Sequence, residues 1–237
     1  MSKITRRGYD ENDKKWFSNK ELIKLKKAKE EVEWLINRDY KIDNVVNFVC
    51  NRYQFSNRQR DSIKRIVCSD EKKEIRKNKE LSIDKISEGP IYIDGFNTII
   101  TIEVALSKGT LIIGSDKNIR DLAGLRGTYK IIDKTEEALR IIGDFLDKNN
   151  CESAVFYLDA PVSNSGNLKY KIIESFKQKK VDVNVELVNN PDIILEKLDR
   201  VISSDAIIID KCISYFNMTK SIIEEYIQDA NIVNLND

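Results

Sequence analysis

Four aspartates follow short β-rich runs: IYI leads to Asp94, TLIIGS to Asp116, SAVFYL to Asp159 and RVISS to Asp205. In an open parallel sheet the carboxyl ends of the strands lie along one edge, where ligands bind, so these four side chains are expected to converge on one cleft. Clustered carboxylates raise one another's pKa, and a hard divalent cation with oxygen ligands relieves the repulsion. The chain contains no histidine, and its cysteines, Cys50, Cys68, Cys151 and Cys212, form no C-x-x-C pair. An imidazole base, a Ser-His-Asp triad and a zinc ribbon are therefore excluded, and Mg²⁺ or Mn²⁺ is the expected cofactor. Asp94, Asp116, Asp159 and Asp205 are the catalytic candidates, and Asp94, Asp159, Asp205 and Glu103 the candidate metal ligands.

Each aspartate has a competing role. An Asp after a strand commonly caps the next helix, which suits Asp116 and Asp205. Asp94 precedes Gly95, Phe96 and Asn97, and a helix starting near Asn97 is better capped by Asn97 or Gly95, leaving Asp94 for the cleft. Asp159 precedes Pro161 and a loop. Glu103 lies in the apolar TIITIEVAL segment, where a lone carboxylate is expensive, so it reaches the cleft or pairs with a buried partner such as Arg120. In the loop PVSNSG, Ser163, Asn164 and Ser165 offer donors and Gly166 opens a helix, an arrangement suited to phosphate. The stretch DKNIRDLAGLRGTY adds Arg120, Asp121 and Arg126 as substrate contacts beside the same edge, together with Asn97.

These residues need a scaffold, and the sequence changes character near Glu88/Gly89. Residues 1–88 carry a net charge of +7 and residues 89–237 a net charge of −6, which a total of +1 conceals. The first half has helical periodicity: one helix from the capping box Ser18/Glu21 to about Arg38, a second over Asp43–Tyr53, and a third opened by the capping box Ser56/Gln59. Lys72–Lys85 forms a charged connector. Arg52, Arg58, Arg60, Lys64 and Arg65 make this bundle a candidate nucleic-acid surface, with packing or dimerisation, and so a homo-oligomer, as the rival. In the second half, strands near 91, 110, 153, 183, 200 and 231 alternate with helices, the pattern of a mostly parallel sheet covered on both faces. The fold class is thus α/β, with an all-α bundle over 1–88 and a Rossmann-like sheet domain over 89–237. With 41% hydrophobic and 33% charged residues, no apolar run of membrane-spanning length and no signal-peptide pattern, a soluble, cytoplasmic protein is expected.

RRGYDENDKKWF, the long ELIKLKKAKEEVEWLINRDYKIDNVVNFVCNRY stretch and FSNRQRDSIKR resemble the module known as domain of unknown function 434. IDGFNTIITIEVAL, SDKNIRDLAG, LDAPVSNSG, NNPD and SSDAIIID resemble the module usually fused to it. IDGFN is also similar to the first motif of PIN-like and NYN-type metal-dependent ribonucleases, and SSD to a late motif of those enzymes. That resemblance implies a PIN-like fold, with Asp94 and Asn97 at the first strand and Asp159 and Asp205 at later ones as metal-site residues. The PVSNSG loop departs from the pattern. The expected function is a metal-dependent ribonuclease, with Asp116 or Glu103 completing the metal's shell and Arg120 and Arg126 on phosphate. The alternatives are a non-catalytic nucleic-acid-binding or regulatory protein that senses a small anion, and a phosphohydrolase of small nucleotides.

Overall fold

The structure, a computed structural model, describes residues 5–124 and 127–236. Five helices come first: α1 (Asp13–Trp16), α2 (Asn19–Ile36), α3 (Ile42–Arg52), α4 (Asn57–Ile66) and α5 (Asp70–Lys79). Ser56 and Gln59 form the expected capping box at α4, side chain to backbone in both directions. Ser18 occupies the N-cap of α2 but makes no capping bond, because Glu21 is drawn instead to Lys24 at 2.7 Å and Gln59 at 3.3 Å.

The remaining elements are β1 (Glu80–Leu81), a 3₁₀ turn (Ile83–Glu88), β2 (Ile91–Asp94), α6 (Gly95–Leu106), β3 (Leu111–Ile113), β4 (Ile119–Asp121), α7 (Asp133–Lys148), β5 (Ser153–Asp159), α8 (Ser165–Phe176), β6 (Asp182–Val188), α9 (Pro191–Leu195), β7 (Val201–Ile202), α10 (Ala206–Lys211), β8 (Tyr215–Phe216), α11 (Met218–Tyr226) and β9 (Ile232–Asn234). Six strands form one sheet in the order β1-β8-β7-β2-β5-β6, and every neighbouring pair is parallel. From β2 the chain adds β5 and β6 on one side and later β7 and β8 on the other, so the strand order reverses between β2 and β7. A crevice opens at such a switch point, at the carboxyl ends of the strands.

The strands expected near 110 and 231 are present but do not join this sheet. β3 pairs with β4 antiparallel and with β9 parallel in a separate three-stranded sheet. Ile112, Leu122, Val233 and Leu235 from this small sheet and its flanks complete the apolar core under α2, α3 and α4. The helical half is therefore packed by side chains from beyond residue 88, and composition changes at a point that the core crosses.

α6 packs against β2, β3, β4, β5, α7 and α11, which explains why it is apolar nearly all round despite its β-branched residues. Burial outweighs their weak helix propensity. It starts directly after β2 because residue 95 is glycine: a Cβ there would lie 2.5 Å from Leu158 Cδ2 and 3.0 Å from the Tyr157 carbonyl.

Candidate functional site

The carboxyl ends of β2 and β7 are joined by two side-chain clamps. Ser203 Oγ donates to Asp94 Oδ2 at 2.8 Å, and Ser204 donates to Asn97 Oδ1 from both its backbone N–H and its hydroxyl, each at 2.9 Å. IDGFN and SSD, more than 100 residues apart, therefore meet as one unit. Asp94 is also the N-cap of α6, accepting from Asn97 N at 3.4 Å. This corrects the expectation that Asp94 is free of capping: α6 begins at Gly95, two residues earlier than Asn97. Asp205 caps α10, accepting from Ile207 N at 2.7 Å and Ile208 N at 3.4 Å.

Burial pushes the Asp94 carboxyl up to about 7, and the nearby charges of Asp205 and Asp192 add to the shift while the bond from Ser203 opposes it. Asp159, at the end of β5, is half-buried and likewise raised by desolvation. Asp192, in the first turn of α9 beyond β6, is raised by partial desolvation and then by Asp205 and Asp159. Because β2, β5, β6 and β7 are parallel, Asp94, Asp159, Asp192 and Asp205, each at or just beyond one of their carboxyl ends, lie along one acidic edge. Among the described residues none of the four forms an ion pair with Lys or Arg. Their oxygen-only chemistry suits a hard cation, yet among the described residues no three acidic or sulfur groups are placed closely enough to hold an ion by themselves. Sequence reasoning missed Asp192. Its signal was the Asn190-Pro191 helix start after β6, a parallel strand that ends on the same edge.

Three other acidic candidates lie elsewhere. Asp116 follows β3 in the second sheet, contrary to its expected place on the parallel edge, and is locked between two arginines. Arg120 reaches it at 2.9 and 2.6 Å and Arg76 at 2.5 Å. Burial alone would raise this carboxyl, but the two guanidiniums outweigh it and hold it near 2. Glu103 is fully buried and pairs with Arg7 at 2.5 Å, not Arg120, while accepting from Tyr129 Oη at 2.7 Å and from Thr135. Asp121 accepts from Thr101 Oγ1 at 3.0 Å and Ala123 N at 2.8 Å.

The expected phosphate contacts are engaged internally. Arg120 spends its guanidinium on Asp116, the Arg65 carbonyl and, through Nε at 2.8 Å, the Ser204 carbonyl. It thus braces the clamp from behind. Arg126 lies outside the described residues. Ser163 Oγ accepts from Tyr129 N at 3.1 Å, Asn164 Nδ2 donates to the Tyr129 carbonyl at 2.7 Å, and Ser165 Oγ donates to the Ala160 carbonyl at 3.1 Å. Those side chains fasten the loop, and Gly166 stands in open space beside it.

The basic candidates divide the same way. Arg58 binds Asp13 and the carbonyls of Gly8 and Leu122, Arg60 the Phe55 carbonyl and Arg65 the Asp121 carbonyl. Arg52 and Lys64 keep exposed side chains, in ion pairs with Glu31 at 3.0 Å and Asp43 at 2.6 Å. All four cysteines are free and buried, and burial raises their thiols to about 11. Among the described residues no helix is long and apolar enough to cross a membrane.

Comparison with known proteins places this architecture. Residues 24–79 match the family described as protein of unknown function DUF434. The chain is 40% identical over 188 residues to the uncharacterized protein MJ0935 of Methanocaldococcus jannaschii, a stretch covering 79% of this chain and 89% of that protein. No solved structure matches the chain. Residues 83–221, which contain the whole acidic edge, match the family described as domain of unknown function DUF5616, and the chain belongs to that family.

Proposed function

We propose that the acidic edge is a divalent-cation-dependent phosphodiester hydrolase site that acts on RNA. The observation that carries this reading is the double clamp of Ser203 on Asp94 and Ser204 on Asn97. It holds two strand ends together at the switch point and leaves a group of carboxylates with no basic partner among the described residues. The similarity of IDGFN and SSD to PIN-like ribonuclease motifs supports the same reading, with Asp94, Asp159 and Asp205 as the matching positions.

Mg²⁺ characteristically takes one or two protein carboxylates and completes its shell with water and substrate phosphate. An edge without a ready three-carboxylate cage is thus compatible with it, and Asp94 and Asp205 are the residues that would hold the ion. When bound, the ion lowers the pKa of a water and offsets charge on the phosphoryl oxygens. Asp94, raised to about 7 by burial, is readily ionised as positive charge approaches. Ser203 fixes the orientation of that carboxylate, and Asp159 and Asp192 at the rim are placed to orient water. The +7 charge of residues 1–88 favours a polyanionic substrate over a small metabolite.

The test is cleavage of a labelled single-stranded RNA by the full chain with Mn²⁺ or Mg²⁺. Cleavage that disappears with EDTA and falls at least 100-fold in both Asp94→Asn and Asp205→Asn is expected. Cleavage equal in wild type and both variants, or none with either ion, overturns the reading.

A further inference from the structure

Arg58 and Arg60 of α4 are partly buried and engaged on Asp13 and on main-chain carbonyls, and Arg65 is exposed but bound to the Asp121 carbonyl, which directs attention to other surfaces of the helical half. The tip of the α2–α3 hairpin has the chemistry to hold a nucleic acid. Phe48 is 74% exposed, Tyr40 60% and Trp34 57%, and the Arg38 guanidinium lies 3.7 Å over the Trp34 ring. None of the three belongs to the apolar core under the helices.

The three share one region of the hairpin. Arg52 and Tyr53 reach Glu31 at 3.0 and 2.8 Å, which sets the register of α3 against α2 and marks one side of the hairpin. One turn back from Arg52 on that side is Phe48, and one turn on from Glu31 is Trp34. Tyr40 sits in the connection between the two helices. Arg38 lies over the Trp34 ring and Lys41 follows Tyr40 directly in the chain, and neither forms an ion pair among the described residues. Stackable rings flanked by unpaired cations are complementary to a single strand, whose bases present π-faces and whose backbone is anionic.

The platform is also tied to the acidic edge. Asn37, at the end of α2, donates to Asp70 at 2.9 Å and accepts from its backbone N–H at 2.8 Å, which fastens the hairpin tip to the start of α5. Roughly 9 Å further along that helix at 1.5 Å per residue, Arg76 binds Asp116 and, at 2.7 Å, Asp210 of α10, the helix capped by Asp205. A strand lying on the tip is thus one short helix from the clamp.

We propose that Trp34, Tyr40 and Phe48 form a base-stacking platform for single-stranded RNA that delivers the strand to the acidic edge. The delivery role rests on the hydrolase reading; the binding does not. The experiment is fluorescence anisotropy of a labelled single-stranded oligouridylate of about 12 nucleotides, within the span such surfaces cover, titrated with the full chain in EDTA so that no cleavage intervenes.

Micromolar or tighter binding is expected, with affinity falling about tenfold in each of Trp34→Ala and Phe48→Ala, as loss of one stacked base predicts. Ile213→Ala, which removes an exposed apolar residue outside the helical half, should bind as wild type does, and all variants should keep the wild-type melting temperature. Because binding is read in EDTA, failure of the hydrolase reading leaves these curves unchanged. Equal affinity in wild type and aromatic variants, equal binding of a blunt duplex, or a self-association abolished by Phe48→Ala with no RNA binding would each overturn the platform.

Discussion

Ser203 Oγ lies 2.8 Å from Asp94 Oδ2, a hydroxyl from the end of β7 donating to the carboxylate at the end of β2. The contact spans the point where the strand order reverses, so it joins the two halves of the parallel sheet at the edge where a ligand would enter. The same carboxylate caps α6 through its other oxygen. One residue therefore serves strand, helix and crevice together, and its protonation is coupled to all three.

Asp94→Asn should separate these roles by pH. The folded carboxyl is raised to about 7 from an ordinary value near 4, so the native state holds the extra proton between those values. Stability from this group is full below about pH 4 and is lost as pH rises towards 7. Asparagine caps helices well and carries no charge. The variant should match wild type at pH 4 and be more stable by about 2 kcal/mol at pH 8, at about 1.4 kcal/mol per pKa unit less the altered bond from Ser203. Urea unfolding at both pH values checks this; a variant destabilised at pH 8 would make Asp94 a structural anion.

Asp116 should behave in the opposite sense. Its carboxyl is held near 2, so its stabilisation is present above the ordinary value and is lost as pH falls from about 4 towards 2. Asp116→Asn leaves Arg76 and Arg120 buried without their shared anion and should cost about 3 to 5 kcal/mol at neutral pH. Thermal unfolding reads the loss, and an unchanged midpoint would show that the arginines find other partners.

Arg7 carries the N-terminal segment into the core by pairing with Glu103, while its ring contact with Tyr129 spans 4.7 Å. Arg7→Met strands a buried carboxylate and should destabilise by about 3 to 5 kcal/mol, whereas Arg7→Met with Glu103→Leu should recover most of that. A double-mutant cycle in urea measures the recovery. Additive losses would show that the pair is not the source of the effect.

Asn97→Ala removes the acceptor shared by the Ser204 N–H and hydroxyl and should cost about 1 to 3 kcal/mol through the groups left unpaired. Amide exchange at Ser204 should accelerate. Protection equal to wild type would mean that Arg120, bound to the Ser204 carbonyl at 2.8 Å, holds the segment alone.

Local pattern in the sequence was enough for α2 to α4, for six strands and for the aspartates that follow four of them, because side-chain period and capping chemistry act over a few residues; it read residues 1–88 as all helical, whereas β1 there joins the parallel sheet, and it did not reach the short strands β4 and β8. It reached the Ser56/Gln59 capping box and the motifs that form the clamp. Tertiary structure decided which sheet each strand joined, and period carries no record of pairing partners. Asp116 thereby left the parallel edge for a pocket between two arginines. It also decided that Arg58 and Arg65 are engaged internally, since their acceptors, Asp13, Gly8, Leu122 and Asp121, lie on other parts of the chain, and that Asp94 caps α6, since the absent Cβ of Gly95 lets the helix start hard against Leu158. Asp192 joined the acidic edge for the same reason: β6 runs parallel to β5, and that relationship exists only once the sheet has formed.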